Sequence, residues 1–289
     1  MTVYAPLRLH APSRRAAVVA PLPVVLAPMA GVTNAAYRQL CREQGAGLYV
    51  CEMITSRGLV VGDHKTADML AFDPGETTRS VQLYGVDADV MADAARILAR
   101  DYAVDHIDLN FGCPVPKVTR KGGGGVLPYK RDRLRAIVRE TVRAADEFGV
   151  PVTIKTRIGI DAEHETFLDA GRIAQEEGAA AIALHGRTVQ QAYSGEADWE
   201  RIAELANENL ASEAIENLLN EHRRQSHATT LIEGCGRAAV ALAGDLPDLL
   251  RRLRHELSRL VEHEPGLAEI DALLAGAQIQ VDEAASALE

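Results

Sequence analysis

From Val24 to about Leu205 the chain alternates between short apolar runs and longer segments with helical spacing. The short runs, rich in β-branched residues, lie at Val24–Met29, Leu48–Met53, Ser80–Tyr84, His106–Asn110, Val152–Lys155 and Ala181–His185. Runs of this kind predict strands buried on both faces, as in a parallel sheet. The segments between them predict amphipathic helices. Asp87–Tyr102 puts Val90, Ala94, Ile97 and Leu98 on one face, and Arg131–Phe148 does so with Leu134, Ile137, Val138, Thr141 and Val142. Thr166–Glu177 does the same with Phe167, Ala170, Ile173 and Ala174. Repeated βα units imply parallel strands joined by right-handed crossovers. Polar or reactive residues close almost every predicted strand: Met29, Glu52, Gln82, Asn110 with Cys113, Lys155 with Arg157, and His185 with Arg187. A (β/α)8 barrel builds its active site at that rim, whereas a doubly wound sheet gathers one site at its switch point. The predicted fold class is therefore α/β, of the (β/α)8 TIM-barrel type. It is incomplete, with about six βα units against the eight of the full fold.

After Trp199 the pattern changes. No aromatic residue and no lysine follows, and strand-like runs stop. Leu249, Leu250, Leu253, Leu257, Leu260 and Val261 recur at helical spacing. Asp245 or Asp248 suits the start of that helix and Pro265-Gly266 its end. The chain thus divides into a partial barrel over 1–205 and an all-helical segment over 206–289.

At 289 residues the chain is long enough for one barrel or two ordinary domains. Its formal net charge of -10 argues against bulk, non-specific nucleic-acid binding, which needs many cations on phosphates. The charge is unevenly spread. Every lysine (Lys65, Lys117, Lys121, Lys130 and Lys155) lies in the first part of the chain. Cys41, Cys51, Cys113 and Cys235 form no CxxC pair and no zinc-ligand spacing, so no metal is expected and a reduced, cytoplasmic setting is. The N-terminal segment is too short and too broken by Pro21 and Pro23 for a signal peptide, and no apolar run reaches the length of a membrane span.

The densest chemistry lies in HIDLNFGCPVPKVTRKGGGGVLPYK, from His106 to Lys130. Cys113 follows the strand directly. Lys117, Arg120 and Lys121 come next, and then Gly122, Gly123, Gly124 and Gly125. Consecutive glycines are costly in backbone entropy. Here they predict a flexible basic loop beside a thiol, suited to a polyanionic substrate.

Together with LAPMAGVTNAAYR, SVQLYG, TIKTRIG and LHGRTVQQAYSGEADW, this stretch resembles the bacterial tRNA-dihydrouridine synthases over about residues 20–205. The resemblance implies an FMN cofactor reduced by NADPH, and tRNA as partner and substrate. It implies reduction of the C5–C6 double bond of a uracil base, with hydride delivered to C6 and a proton to C5 from a cysteine acting as general acid. Cys113 matches that cysteine. Lys155 matches a cation beside the flavin ring, and His185 and Gln82 match further flavin contacts. Pro28, Met29 and Ala30 match the segment that approaches the ring. Asn110 and Arg157 match positions near the uracil. Arg187, Lys117, Arg120 and Lys121 are expected to meet RNA phosphates.

The chain departs from the family after Leu205. The two loops that hold the flavin phosphate after the seventh and eighth strands are not recognisable, nor is the usual helical tRNA-binding domain. From about Asn220 the sequence, ending in AQIQVDEAASALE, resembles a helical-arm segment of the bacterial DNA-repair protein RecN. It carries no GxxxxGK[ST] loop, so no ATPase is implied. A hybrid chain joined near 205–212 is one reading and a divergent synthase the other. Two functional alternatives stand beside the synthase. One is a helical interaction module, self-associating through Leu249, Leu253, Leu257 and Leu260. The other is an FMN barrel acting on free pyrimidines. Two open parallel sheet edges are also expected, a hazard for association.

Overall fold

The computed structural model describes residues 6–13, 17–45 and 47–208. The expectations placed on the tail lie outside the described residues: the RecN-like helices, the leucine seam for self-association and the join itself. The chain divides into two units, Met1–Ala206 and Asn207–Glu289, and every element named below lies in the first.

That unit is a curled, six-stranded, wholly parallel sheet with helices on its convex face, an incomplete barrel. An antiparallel hairpin, β1 (Leu7–His10) and β2 (Ala17–Ala20), precedes it. The sheet runs β3 (Val25–Leu26), β4 (Leu48–Thr55), β5 (Ser80–Tyr84), β6 (His106–Phe111), β7 (Val152–Arg157) and β8 (Ala181–His185), each beside its neighbour in sequence. The predicted strands fall where the apolar runs stand. The three predicted helices become α4 (Ala88–Asp101), α6 (Arg131–Asp146) and α7 (Phe167–Glu176). Asp87 caps α4 by accepting from the amides of Asp89 and Val90.

Four further helices carry no long periodic stripe and were not predicted. They are α1 (Ala35–Glu43), α2 (Ser56–Val60), α3 (His64–Asp68) and α5 (Pro116–Thr119). Asn34 and Asp63 cap α1 and α3 through their side chains. The hairpin was missed too, because its strands are only four residues each.

The central strands are buried on both faces as expected, but the expectation that both faces are apolar needs correction. Val81, Leu83, Ile107, Leu109, Phe111, Val152 and Ile154 join the helices in one apolar core. The residues between them are polar: Ser80, Gln82, His106, Asp108, Asn110, Thr153, Lys155 and Arg157. Because successive side chains alternate across a strand, the convex face is apolar and the concave face hydrophilic. The two end strands are also partly open. Val25 is 44% exposed, and no residue of β8 is fully buried. Among the described residues each pairs on one side only.

A buried ion pair ties the first unit of this half-barrel together. Arg38 on α1 meets Glu76 with two charge-assisted bonds of 2.6 and 2.9 Å, donates to the carbonyls of Thr33 and Ala71, and lies over the Phe72 ring. Both side chains are almost fully enclosed.

Candidate active site

The C-terminal ends of the strands carry the candidate residues. After β3 the chain makes a tight turn in which the Met29 carbonyl accepts from the amides of Val32 and Thr33. The Thr33 hydroxyl bridges back to the Met29 backbone. Gly31, at φ +75°, points its amide at Glu52 on β4, 2.6 Å away. Met29 and Ala30 are exposed on this turn and Pro28 is half-buried.

Beyond β6, Asn110 holds the reactive turn. Its side-chain oxygen accepts from the amides of Gly112 (3.1 Å) and Cys113 (2.9 Å), which leaves Cys113 half-buried just past the strand. The glycines that follow are not the flexible loop expected. The chain forms α5 and then a 3-10 turn, Gly124–Tyr129, with Gly123, Gly124 and Gly125 buried. Gly125 donates to the Cys113 carbonyl at 3.0 Å. A side chain at Gly124 would sit 2.5 Å from that same carbonyl, and one at Gly125 would run into Val189. The glycine run is there for close packing around Cys113.

Lys117, Arg120 and Lys121 are exposed on and after α5 and form no ion pair among the described residues. Lys130 and Arg133 lie beside the same turn, since their side-chain nitrogens come within 3.9 and 3.8 Å of a Cβ built at Gly122. The sequence reading had not included these two. Only the turn brings them to the other three.

Beneath the rim the concave face carries one continuous hydrogen-bonded network across three strands. Ser80 bonds the His106 ring at 2.7 Å, His106 bonds Thr153 at 2.9 Å, and Thr153 donates to Asp108 at 2.6 Å. From the other side, Gln82 donates to Asp108 at 2.7 Å and Asn110 donates to Gln82 at 2.7 Å. The Thr153 hydroxyl gives its one proton to Asp108, so His106 must donate to Thr153 and accept from Ser80. Burial pushes the His106 imidazole down to about 3 and keeps it neutral. Burial pushes the Asp108 carboxyl up to about 6, opposed by bonds from Thr153 and Gln82 and by the charge of Lys155. Ser80, His106, Asp108 and Thr153 escaped the sequence reading, which took β5, β6 and β7 as apolar. A period of two across most of these strands was the available signal.

Lys155 stands opposite Asn110 in the β6–β7 register. It makes no hydrogen bond or ion pair among the described residues, and burial lowers its pKa. Arg157, two residues on, is buried. It donates to the carbonyls of Gly112 (2.7 Å), Thr188 (3.0 Å) and Ala192 (2.8 Å), and so clamps the Cys113 turn to the loop after β8. Ala192 is held there at φ +51°, and exposed Tyr193 lies over the guanidinium. Arg157 pairs with His185 in the β7–β8 register. Burial, then the charges of Arg157, Lys155 and Arg187, push His185 down to about 4. Arg187 donates twice to the Gly195 carbonyl. The rim thus gathers a thiol, a neutral imidazole and several cations above one buried carboxylate. Such a set can hold an anion and pass a proton.

Among the described residues no cluster of three His, Cys, Asp or Glu side chains offers a metal site, and no helix is long and apolar enough to cross a membrane.

Comparison with known proteins gives this rim its context. The family model described as Dihydrouridine synthase (Dus) matches residues 25–216. A probable tRNA-dihydrouridine synthase of Mycobacterium tuberculosis is 58% identical over 190 residues, which is 63% of this chain and 49% of that protein. tRNA-dihydrouridine synthase B of Pseudomonas syringae pv. tomato is 42% identical over 180 residues, or 62% of this chain and 52% of the relative. The same-named protein of Pseudomonas aeruginosa is 35% identical over 256 residues, or 87% of this chain and 75% of the relative, a share that extends past the described residues. The chain spans about half the length of the first two. With the family match covering well over half of its residues, the chain belongs to the dihydrouridine synthase family.

Proposed function

We propose that this chain carries the catalytic half of an FMN-dependent tRNA-dihydrouridine synthase, an oxidoreductase that reduces the C5–C6 bond of uridine in tRNA. One observation carries the reading. Cys113 is held by Asn110 at the end of a strand, on a rim where Lys155, His185 and Arg157 converge.

The residues fit a flavin ring. Lys155 is a half-buried cation with no hydrogen bond or ion pair among the described residues, and an anionic ring would satisfy it. Gln82 keeps one amide hydrogen beyond its bond to Asp108, and His185 is neutral. Lys155, Gln82 and His185 would hold the ring, with the backbone of Pro28, Met29 and Ala30 beside it. For the phosphate, no matching pair of loops occurs among the described residues. Bound and reduced at the expense of NADPH, FMN would supply hydride to C6 of the uracil.

Cys113 holds a proton at Sγ for C5, and the Asn110 turn fixes where that sulfur sits. Arg157 keeps the turn closed through Gly112, and its Nη2, free of hydrogen bonds among the described residues, is available to a uracil oxygen. The exposed cations Lys117, Arg120, Lys121, Lys130 and Arg133 suit phosphates flanking an extruded uridine. Extrusion itself costs a few kcal/mol. The setting that suits this chemistry is the cytoplasm.

The test is the visible spectrum of the full chain with added FMN after gel filtration, followed by reduction of unmodified tRNA with NADPH. Retained flavin bands, and dihydrouridine formed by the wild type but not by Cys113→Ala, are expected. Activity on free uracil or orotate but not on tRNA would favour a free-pyrimidine reductase. A colourless protein that takes up no FMN would overturn the proposal.

A further inference from the structure

We propose that Asp108 is a positioning residue whose carboxylate sets the polarity of a chain of amides, and that this polarity holds the Cys113 turn. The functional meaning rests on Cys113 being the reacting thiol, but the inference itself is independent of flavin and tRNA.

The argument begins at the far end of the chain. The amides of Gly112 and Cys113 both point at one atom of the Asn110 side chain. Two N–H groups can share only an acceptor, so that atom must be the oxygen. Asn110 then presents its NH2 to Gln82, so Gln82 must answer with its oxygen. The Gln82 NH2 faces Asp108, which answers as an acceptor. The remaining Asp108 oxygen already accepts from Thr153. Each link leaves the next no choice, and the chain ends in a group that cannot donate while ionised.

An uncharged amide at position 108 removes that anchor. In Asp108→Asn the new side chain keeps its oxygen for the Thr153 hydroxyl and turns an NH2 toward Gln82. Gln82 must then flip or face it donor to donor. A flipped Gln82 turns its NH2 on Asn110, which must flip in turn and present an NH2 to the amides of Gly112 and Cys113. The alternative, in which the new amide turns its oxygen to Gln82 and its NH2 to Thr153, makes Thr153 donate to His106, forces that ring into its other tautomer and takes from the buried Ser80 hydroxyl its acceptor. A buried donor is thus left unmet in either arrangement, which is costly. Gln82→Glu alone sets two carboxylates against each other. The double variant Asp108→Asn/Gln82→Glu moves the carboxylate one residue along. The carboxylate introduced at position 82 then accepts from the new amide at position 108 and from Asn110, and every other bond keeps its direction.

The experiment uses the full chain without flavin. The rate of Cys113 alkylation by iodoacetamide is followed by peptide mass mapping, which separates it from the other cysteines, and thermal unfolding is monitored by circular dichroism. Both single variants should alkylate Cys113 about tenfold faster, the factor one buried hydrogen bond carries. The double variant should return to the wild-type rate. If a single variant does not fold, a folded double variant with the wild-type rate still supports the inference. Single variants at the wild-type rate, or a double variant no better than the singles, would overturn it. The expected pattern in a chain that reduces no tRNA would leave the positioning role standing and remove the proposed function.

Discussion

His106 shows how far one buried side chain can be read. Its ring is enclosed, neutral and bonded on both nitrogens. The unfolded chain holds the ordinary value of 6.5, against about 3 in the fold. Between those values the unfolded chain binds the extra proton, so stability falls as pH falls through 6.5 toward 3. Asp108 works the other way between 3.8 and about 6, because there the folded state binds the extra proton and stability falls as pH rises. Comparing the wild type with His106→Gln cancels that opposing contribution. The urea midpoint of the wild type should therefore fall more steeply with acid below pH 6.5, by about 1.4 kcal/mol per pH unit of unmatched proton. Parallel pH profiles would show that the imidazole is not held neutral.

At the scale of elements, two devices hold the rim. The first is the ion pair between α1 and Glu76, which also fixes the Thr33 carbonyl at the end of the Met29 turn. Removing one partner strands a buried charge. Glu76→Ala should cost about 3–5 kcal/mol in urea denaturation, whereas a loss of under 1 kcal/mol, about the worth of a surface pair, would mean that Arg38 finds water. The second device is the packed glycine turn behind Cys113. Gly122 and Gly124 both have positive φ, +77° and +59°. An alanine bears that conformational cost, about 1–2 kcal/mol, at either site. Only at Gly124 does the new methyl also meet the Cys113 carbonyl at 2.5 Å, while at Gly122 nothing lies nearer than 3.8 Å. Gly124→Ala should therefore lower the melting temperature clearly more than Gly122→Ala, and equal losses would deny the close approach.

At the scale of the molecule, six parallel strands curl without closing among the described residues. Among the described residues β4, β5, β6 and β7 have a strand on each side, whereas β3 and β8 have one. A strand with one open edge exposes a row of backbone donors and acceptors. Hydrogen exchange followed by mass spectrometry should grade accordingly, slowest in β5 to β7 and fastest in β3 and β8. Slow exchange in β8 equal to that of β6 would mean that its edge is covered.

The spacing of apolar residues by itself determined the order of strands and long helices, because burying one face of each element leaves a periodic trace whatever its neighbours are. It also marked the strand ends, and the motif around Cys113 pointed to the family. Short elements left no such trace: α5 and the 3-10 turn are too brief to repeat, and their glycines read as freedom when they serve contact. The polar concave face was in the sequence as a period of two, but the apolar half of each strand dominated it. Only the tertiary structure decided which polar groups meet. Hydrogen bonds depend on register between strands that lie tens of residues apart, and no local pattern encodes that Gln82, Asp108 and Thr153 stand side by side.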